Sequence, residues 1–253
     1  MNKKKRAGAA VCIILILVIY LVYYNIEYEE DCITSVKTRT IKKDGFCVLY
    51  DDAYLENTNN YPGKKLKSDI LKLLPDHYDF IDYRYKINNV ALSTFHRDVT
   101  SSKTLYKTNY PVYTLILYKY DGELLSLCPG SHDSYPFVWS NIVNVSGKKG
   151  TVFLFDCDIL HAGRVNSCKY REVIQYKICH QEDLKKLSHL KGVNKTKTET
   201  CVDTITNVLM RKMSYYFEFP INYFFNPLMI KRDKSNSFIG IMQSYIPLDY
   251  YNN

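Results

Sequence analysis

The sequence predicts a mainly β domain of the jelly-roll type with flanking helices, preceded by one transmembrane helix. Three patterns carry that prediction. The first is a series of short runs rich in Val, Ile, Tyr and Phe: Val90 to His96, Val112 to Tyr120, Glu123 to Cys128, Thr151 to Phe155 and Arg171 to Cys179. Clusters of Gly, Pro, Asn, Asp or Ser separate them, and short strands so spaced form a sandwich or barrel rather than βαβ units. The second is Lys65 to Leu74, where Leu66, Ile70, Leu71, Leu73 and Leu74 make a helical face that Pro75 stops. A helix ahead of such strands fits a jelly roll with helices packed on one outer face.

The third pattern is at the N-terminus. Lys3, Lys4, Lys5 and Arg6 precede an uncharged run from Ala7 to Ile26. Roughly 20 apolar residues cross a ~30 Å hydrocarbon core as a helix that satisfies its own backbone groups. Tyr20, Tyr23 and Tyr24 stand where an interfacial belt lies, and the acidic Glu27, Glu29, Glu30 and Asp31 follow. Basic before and acidic after predicts a cytosolic tail (1–6), an anchor (7–26) and a lumenal or otherwise extracytoplasmic body. A cleaved signal peptide needs a shorter apolar core and a small-residue cleavage site, which the far end of this run does not supply. A buried globular helix fits the flanking charges poorly.

Beyond the anchor, residues 27–40 read as a polar linker and 41–180 as the jelly-roll domain. Its opening strand is Gly45 to Tyr50, set between Asp44 and Asp51-Asp52. Residues 181–253 read as a partly helical extension packed on the same domain, with helices over Gln181 to Leu190 and Ile205 to Phe217 and a polar loop over Val193 to Thr200.

Composition bounds function more weakly. Hydrophobic residues are 46% of the chain, ample for a core. Half of the net charge of +8 resides in Lys3 to Arg6, and the rest forms no basic stripe, so no nucleic-acid partner is expected. The eight cysteines show no C-x-x-C pair and no zinc spacing. Cys47, Cys128 and Cys179 fall in strand-like runs, where a thiol packs as a small hydrophobe, whereas a lumenal body would permit disulfides. Two sequons, Asn144-Val145-Ser146 and Asn194-Lys195-Thr196, also suit a lumenal body.

The chemistry concentrates in two segments. Ser93-Thr94-Phe95-His96-Arg97-Asp98 ends a strand with His-x-Asp, and residues i and i+2 of a strand share a face. An imidazole and a carboxylate side by side offer two metal ligands. A third from a distant strand would complete a 2-His-1-carboxylate face with positions left open. Alone, the pattern also describes an ordinary polar strand end. The second segment runs from Gly150 to Asp156, then Ile159-Leu160-His161-Ala162-Gly163, Asn166 and Arg171. In an antiparallel hairpin the returning strand would set Arg171 beside His161, where a buried guanidinium can grip a carboxylate with two parallel hydrogen bonds. A diacid co-substrate that chelates the metal at one end would use such a group at the other. The plainer reading is a surface hairpin whose Arg pairs with an Asp.

Taken in order, these blocks resemble the phytanoyl-CoA dioxygenase-like branch of the iron(II)- and 2-oxoglutarate-dependent oxygenases. The matching blocks are His96-x-Asp98, then Asp121-Gly122-Glu123-Leu124 running into Cys128-Pro129-Gly130-Ser131-His132, then His161 with Asn166 and Arg171. Asp44 to Leu49 is similar to the family's first strand. The resemblance implies a double-stranded β-helix (jelly roll, cupin-like) with His96, Asp98 and His161 as iron(II) ligands. It implies Arg171 on the far carboxylate of 2-oxoglutarate, O2 as oxidant and ascorbate as an auxiliary reductant. The implied reaction is hydroxylation of an organic substrate (peptide, glycan, lipid or small molecule) with release of succinate and CO2. His132 is expected to be structural, and Asn166 to order the turn after His161. Family members often carry Ser or Thr two residues past the distal His. This chain has Gly163 there, so either Arg171 suffices or another hydroxyl, such as that of Tyr113, assists it. Two alternatives stand beside this reading. A lumenal prolyl- or lysyl-hydroxylase shares His-x-Asp and the distal His, but usually places Lys where this chain has Arg171. A non-catalytic membrane protein could retain the fold and bind no metal. Trp139, the only tryptophan, reads either as lining a substrate entrance or as core.

Overall fold

A computed structural model describes residues 8, 10–16, 27–56, 62–89, 93–164, 170–198 and 204–226. An edge strand β1 (Glu27–Asp31) leads into helices α1 (Cys32–Thr38) and α2 (Ile41–Asp44), then β2 (Phe46–Tyr50) and α3 (Lys64–Leu71). The body continues with β3 (Tyr78–Asn88), α4 (Lys103–Tyr106), β4 (Tyr113–Tyr118), β5 (Gly122–Leu127) and β6 (Ile142–Gly147). Then come β7 (Thr151–Asp156), β8 (His161–Gly163), β9 (Glu172–His180), β10 (Val193–Thr198) and α5 (Thr204–Tyr216). One sheet has the order β10-β3-β9-β4-β7-β2 and the other β1-β6-β5-β8, a mainly β architecture consistent with a jelly roll.

Alternation along the strands builds the layers, because successive strand side chains point to opposite faces. Phe46, Val48, Phe153 and Phe155 of the six-stranded sheet meet Leu125, Leu127, Val143 and Val145 of the four-stranded sheet in a core between the two. The other face of the six-stranded sheet, with Leu115, Leu117, Leu154 and Ile174, packs on Leu66 and Ile70 of α3. Both α3 side chains are fully buried, and each contributes ~1.5–3 kcal/mol by leaving water. On the outer face of the four-stranded sheet, Tyr215 of α5 packs against Phe95, Val138, Ile142 and Ala162.

Several expectations are revised. Residues 27–40 are not a linker: β1 pairs in parallel with β6, and the Asp31 carboxylate caps α1 by accepting from Thr34 N at 2.8 Å. An acidic run can serve as a strand here because Asn144 donates to Glu27 and Glu29 and Arg164 pairs with Glu29. Gln181 to Leu190 makes two 3-10 turns, Gln181–Asp183 and Ser188–Leu190, instead of a helix. The cause is Asp183, whose buried carboxylate accepts from the backbone N–H groups of Asn109 and Tyr110 at 2.9 Å each. Val193 to Thr198 is a strand parallel to β3 and not a loop. Only its first residue is buried, so backbone pairing holds it rather than apolar alternation.

Among the described residues no helix is long and apolar enough to cross a membrane. Residues 8 and 10–16 are helical, and the rest of the run from 7 to 26, including Tyr20, Tyr23 and Tyr24, lies outside the described residues. Cys12, Cys32, Cys47, Cys128, Cys157 and Cys179 are free thiols, while Cys168 and Cys201 lie outside the described residues. Asn144 is buried and spends its amide on Ser126, Glu27 and Glu29, which leaves no room for a glycan.

Candidate metal centre

His96, Asp98 and His161 meet at one end of the space between the sheets. The backbones of His96 and His161 exchange two hydrogen bonds, 2.9 and 3.0 Å, across an isolated antiparallel bridge. Residues 90–92 of the strand expected over Val90 to His96 lie outside the described residues, and Ser93, Thr94 and Phe95 are not a strand: only His96 pairs, in this single bridge. Two positions on, Asp98 donates its N–H to Cys157 O at 2.9 Å, which fixes the carboxylate beside the rings. One ligand atom from each of His96, Asp98 and His161 lies within 4.8 Å of the others. The imidazole centroids are 4.4 Å apart, and Asp98 Oδ1 is 3.8 Å from His161 Nε2.

The protonation of these groups follows from their neighbours. His96 Nδ1 is 2.8 Å from Thr94 O, and His161 Nδ1 is 3.1 Å from Ile159 O. A carbonyl only accepts, so each Nδ1 carries the proton and each Nε2 keeps its lone pair. Metal-binding histidines are oriented in this way. Burial first, and then the adjacent His96 ring, pushes His161 down to about 3, so it is neutral at physiological pH. Burial works the other way on Asp98, but Lys177, His161 and His96 outweigh it and hold the carboxyl well below the usual carboxylate range. Two imidazoles, each with Nδ1 on a carbonyl and Nε2 turned to the centre, and one carboxylate suit a first-row divalent ion, iron(II) among them, with coordination positions left over. The residues present therefore fit such a metal.

The cation beside this group is Lys177, which belongs to none of the motif blocks. Its fully buried ammonium donates to Asp98 Oδ2 at 2.7 Å, Ser101 Oγ at 2.8 Å and Thr114 Oγ1 at 2.7 Å. Thr114 itself donates to Asp98 Oδ2, which leaves Oδ1 as the oxygen turned toward His161. The signal was present in Glu172-Val173-Ile174-Gln175-Tyr176-Lys177: every second residue of an otherwise apolar strand is polar from Gln175 on, and β9 is buried on both faces.

Arg171 is placed differently from the expected hairpin. β8 belongs to the four-stranded sheet and β9 to the six-stranded one, so the chain crosses between sheets after His161 instead of turning back alongside it. Arg171 is buried one residue before β9 and six positions before Lys177, an even spacing that sets both side chains toward the same face. There Nε donates to the Tyr120 hydroxyl at 3.2 Å, with the guanidinium 5.8 Å from the ring centres of Tyr118 and Tyr120. The expectation for Tyr113 is overturned outright. It packs on Tyr78 with centroids 5.5 Å apart, in the cluster beneath α3 on the opposite face of the sheet from the ligands. Its neighbour Thr114 is the β4 hydroxyl that faces the centre.

The remaining motif residues brace the loops. The His132 ring packs against Gly45 (φ +79°), where a Cβ would stand 2.3 Å from its Nδ1, so His132 is structural. Ser131 Oγ accepts from Leu160 N at 2.8 Å and thereby holds the turn that delivers His161. Arg97, between the two ligands of His-x-Asp, points away from them and donates to Ser131 O at 2.8 Å, Phe137 O at 3.2 Å and Asp158 O. The carbonyl of Gly163 accepts from Arg211 Nη1 at 3.0 Å. Asn166 lies outside the described residues. Trp139 is 64% exposed, which rules out a core role.

Asp156, at the end of β7, yields a first expected result. Burial first, then nearby Asp158, raises its carboxyl from 3.8 to about 7. The folded chain thus retains a proton that the unfolded chain releases, so this group lowers stability as pH rises from about 4 to about 7. Asp156→Asn keeps the acceptor for the Asp158 N–H, which lies 2.8 Å away. Urea denaturation across pH is expected to show the fall flattened, with a gain of up to roughly 4 kcal/mol at pH 8. An unchanged slope would refute the assignment.

No protein-family model and no curated protein matches the chain. Solved structures do resemble it. EvdMO1 is 15% identical over 58% of this chain and 50% of that chain, with a TM-score of 0.39. EvdO2 from Micromonospora carbonacea var. aurantiaca, complexed with 2-oxoglutarate, is 12% identical over 55% and 88%, with a TM-score of 0.38. HygX from Streptomyces hygroscopicus with iron bound is 13% identical over 56% and 84%, also with a TM-score of 0.38. The chain spans half the length of EvdMO1. These are distant likenesses, and the chemistry of the centre stands on its own geometry.

Proposed function

We propose that this chain is an iron(II)- and 2-oxoglutarate-dependent oxygenase, held to a membrane by residues 7–26, that hydroxylates an organic substrate. The observation that carries the proposal is the donor set itself: His96 and His161 with their Nε2 lone pairs freed by Nδ1 hydrogen bonds to carbonyls, beside an ionised Asp98. Three protein ligands leave room on a metal for a chelating co-substrate and oxygen. When bound, iron with 2-oxoglutarate and O2 supplies the oxidising chemistry and yields succinate and CO2.

The side chains support that chemistry in distinct ways. Lys177 and Thr114 hold one oxygen of Asp98 and present the other. The Phe155 ring, centred 4.6 Å from that of His161, shields the ligand from water on the inner side. Arg171, buried between aromatic rings, is a guanidinium of the kind that binds a carboxylate, and we assign it to the far end of 2-oxoglutarate.

The test uses the full chain in detergent with iron(II), ascorbate and 2-oxoglutarate in air, and follows succinate. His161→Ala is expected to abolish succinate formation, and Arg171→Ala to raise the 2-oxoglutarate concentration required. Succinate production indifferent to His161→Ala would exclude this centre. One observation favours a second reading, a metal-free scaffold: Lys177 already supplies a positive charge 2.7 Å from Asp98. Failure to retain iron under anaerobic reconstitution would select it.

A further inference from the structure

Helix α5 is amphipathic in the unexpected sense. The side toward the four-stranded sheet carries Arg211, which donates to Gly163 O, Ser93 O and Ser126 Oγ and lies 4.5 Å from the Phe95 ring centre. The side toward solvent carries Ile205, Leu209 and Met213, four residues apart along one stripe and 78%, 58% and 45% exposed. Phe217 continues the stripe past the end of the helix and is 51% exposed.

The stripe runs on into aromatic residues. Phe219 stacks on Phe137 with centroids 4.9 Å apart, and on Tyr223 at 5.5 Å. Trp139 lies 5.8 Å from Phe137. Trp139, Tyr223 and Phe224 are each more than half exposed. An exposed apolar helix stripe followed in the chain by exposed Phe and Tyr, with Trp139 beside them, has no stabilising role in water and suits a membrane interface.

The path of the chain says which surface covers it. Glu27, the first residue after the apolar run 7–26, lines a cavity of about 260 Å³ together with Val208, Arg211 and Lys212 of α5. If residues 7–26 are inserted in a bilayer, they must leave it within a cavity's width of α5. The exposed stripe of α5 is then held at the lipid surface by covalent connection.

We infer that the apolar face of α5, with the Phe137, Trp139 and Tyr223 cluster, lies against the bilayer that holds residues 7–26. This rests on the reading of those residues as an anchor and is independent of the chemistry proposed for the metal centre. Contact is apolar and aromatic, so a zwitterionic lipid surface suffices.

Trp139 is the chain's only tryptophan and reports directly on the face. The full chain is reconstituted into phosphatidylcholine vesicles with and without brominated acyl chains, and extraction at alkaline pH checks that it is held. Bromolipid is expected to quench Trp139, and the exposed-site double variant Leu209→Gln, Met213→Gln is expected to lose most of that quenching while remaining in the vesicles. Far-UV circular dichroism confirms that the variant folds. A chain that resists extraction but shows no quenching overturns the docking while leaving the anchor standing; residues 227–253 covering the face would give this result. Equal quenching in the wild type and the double variant also overturns it. A chain extracted at alkaline pH overturns anchor and docking together, and the succinate assay in detergent still judges the oxygenase reading separately.

Discussion

Lys177→Met is expected to destabilise the metal-free protein by about 3–5 kcal/mol, the range for breaking one side of a buried ion pair. The Lys177 side chain is 1% exposed and its ammonium is bound to Asp98, Ser101 and Thr114. Its loss leaves the buried Asp98 carboxylate without its cation and takes one donor from each hydroxyl, although Ser101 and Thr114 keep other partners. Methionine fills much of the same volume, so the loss reports charge and hydrogen bonding rather than a cavity. The same substitution has the opposite consequence for metal binding. A divalent ion at Asp98, His96 and His161 restores a positive charge beside the carboxylate, and anything that binds only the folded state stabilises it by mass action. Cobalt(II), added anaerobically, should therefore raise the melting temperature of the variant more than that of the wild type.

Acid adds an independent check. Asp98 is held below its usual range, so its contribution is present above 3.8 and is lost as pH falls through the folded value. Without Lys177 that loss should move to higher pH. Wild-type stability in the variant, or an equal cobalt response in both proteins, would show that Lys177 does not govern the carboxylate.

How much of this was legible beforehand depended on whether near or distant residues decide the structure. β2, β4, β5, β7 and β9 were readable because each is a short apolar run bounded by turn residues, with side chains that the packed layers bury on one or both faces. β1 was not, since Glu27 and Glu29 make sense as strand residues only once Asn144 and Arg164, more than a hundred positions away, are beside them. β6 carries Asn144 in the middle of a short run and lost its signal for the same reason. At the centre, the i, i+2 spacing of His96 and Asp98 suggested a shared face, but only His96 makes a bridge and Asp98 lies outside any strand, while His161 followed from the order of the blocks.

Position in sequence suggested a hairpin that would set Arg171 beside His161, whereas β8 and β9 lie in different sheets and the cation beside Asp98 is Lys177. A slip of one residue explains Tyr113. On β4 the odd-numbered side chains face α3 and the even-numbered ones face the metal ligands, so Thr114 has the role looked for one position earlier.

Arg97 shows what no motif reveals, because the middle residue of His-x-Asp carries no pattern of its own. Its side chain is 2% exposed and joins three stretches of chain: the turn at Ser131, the loop at Phe137 and the turn at Asp158. The Tyr135 ring lies 4.9 Å from its guanidinium and closes the remaining side. Arg97→Met removes every one of these donors: the carbonyls of buried Ser131 and Asp158 lose theirs, at ~1–3 kcal/mol each when unpaired, while Phe137 O keeps the Ser134 hydroxyl. The expected loss in urea denaturation is on the order of 3–5 kcal/mol. Arg97→Lys should recover only part of it, because one ammonium cannot span three carbonyls as a planar guanidinium does. The effect should also reach the metal. Ser131 and Asp158 flank the turn that carries His161, and Arg97 is covalently next to both His96 and Asp98, so loosening this clamp frees all three ligands at once. Cobalt(II) affinity is therefore expected to fall in Arg97→Met although no ligand has changed. A variant that loses less than about 1 kcal/mol and binds cobalt(II) like the wild type would show that the loops hold the ligands without Arg97.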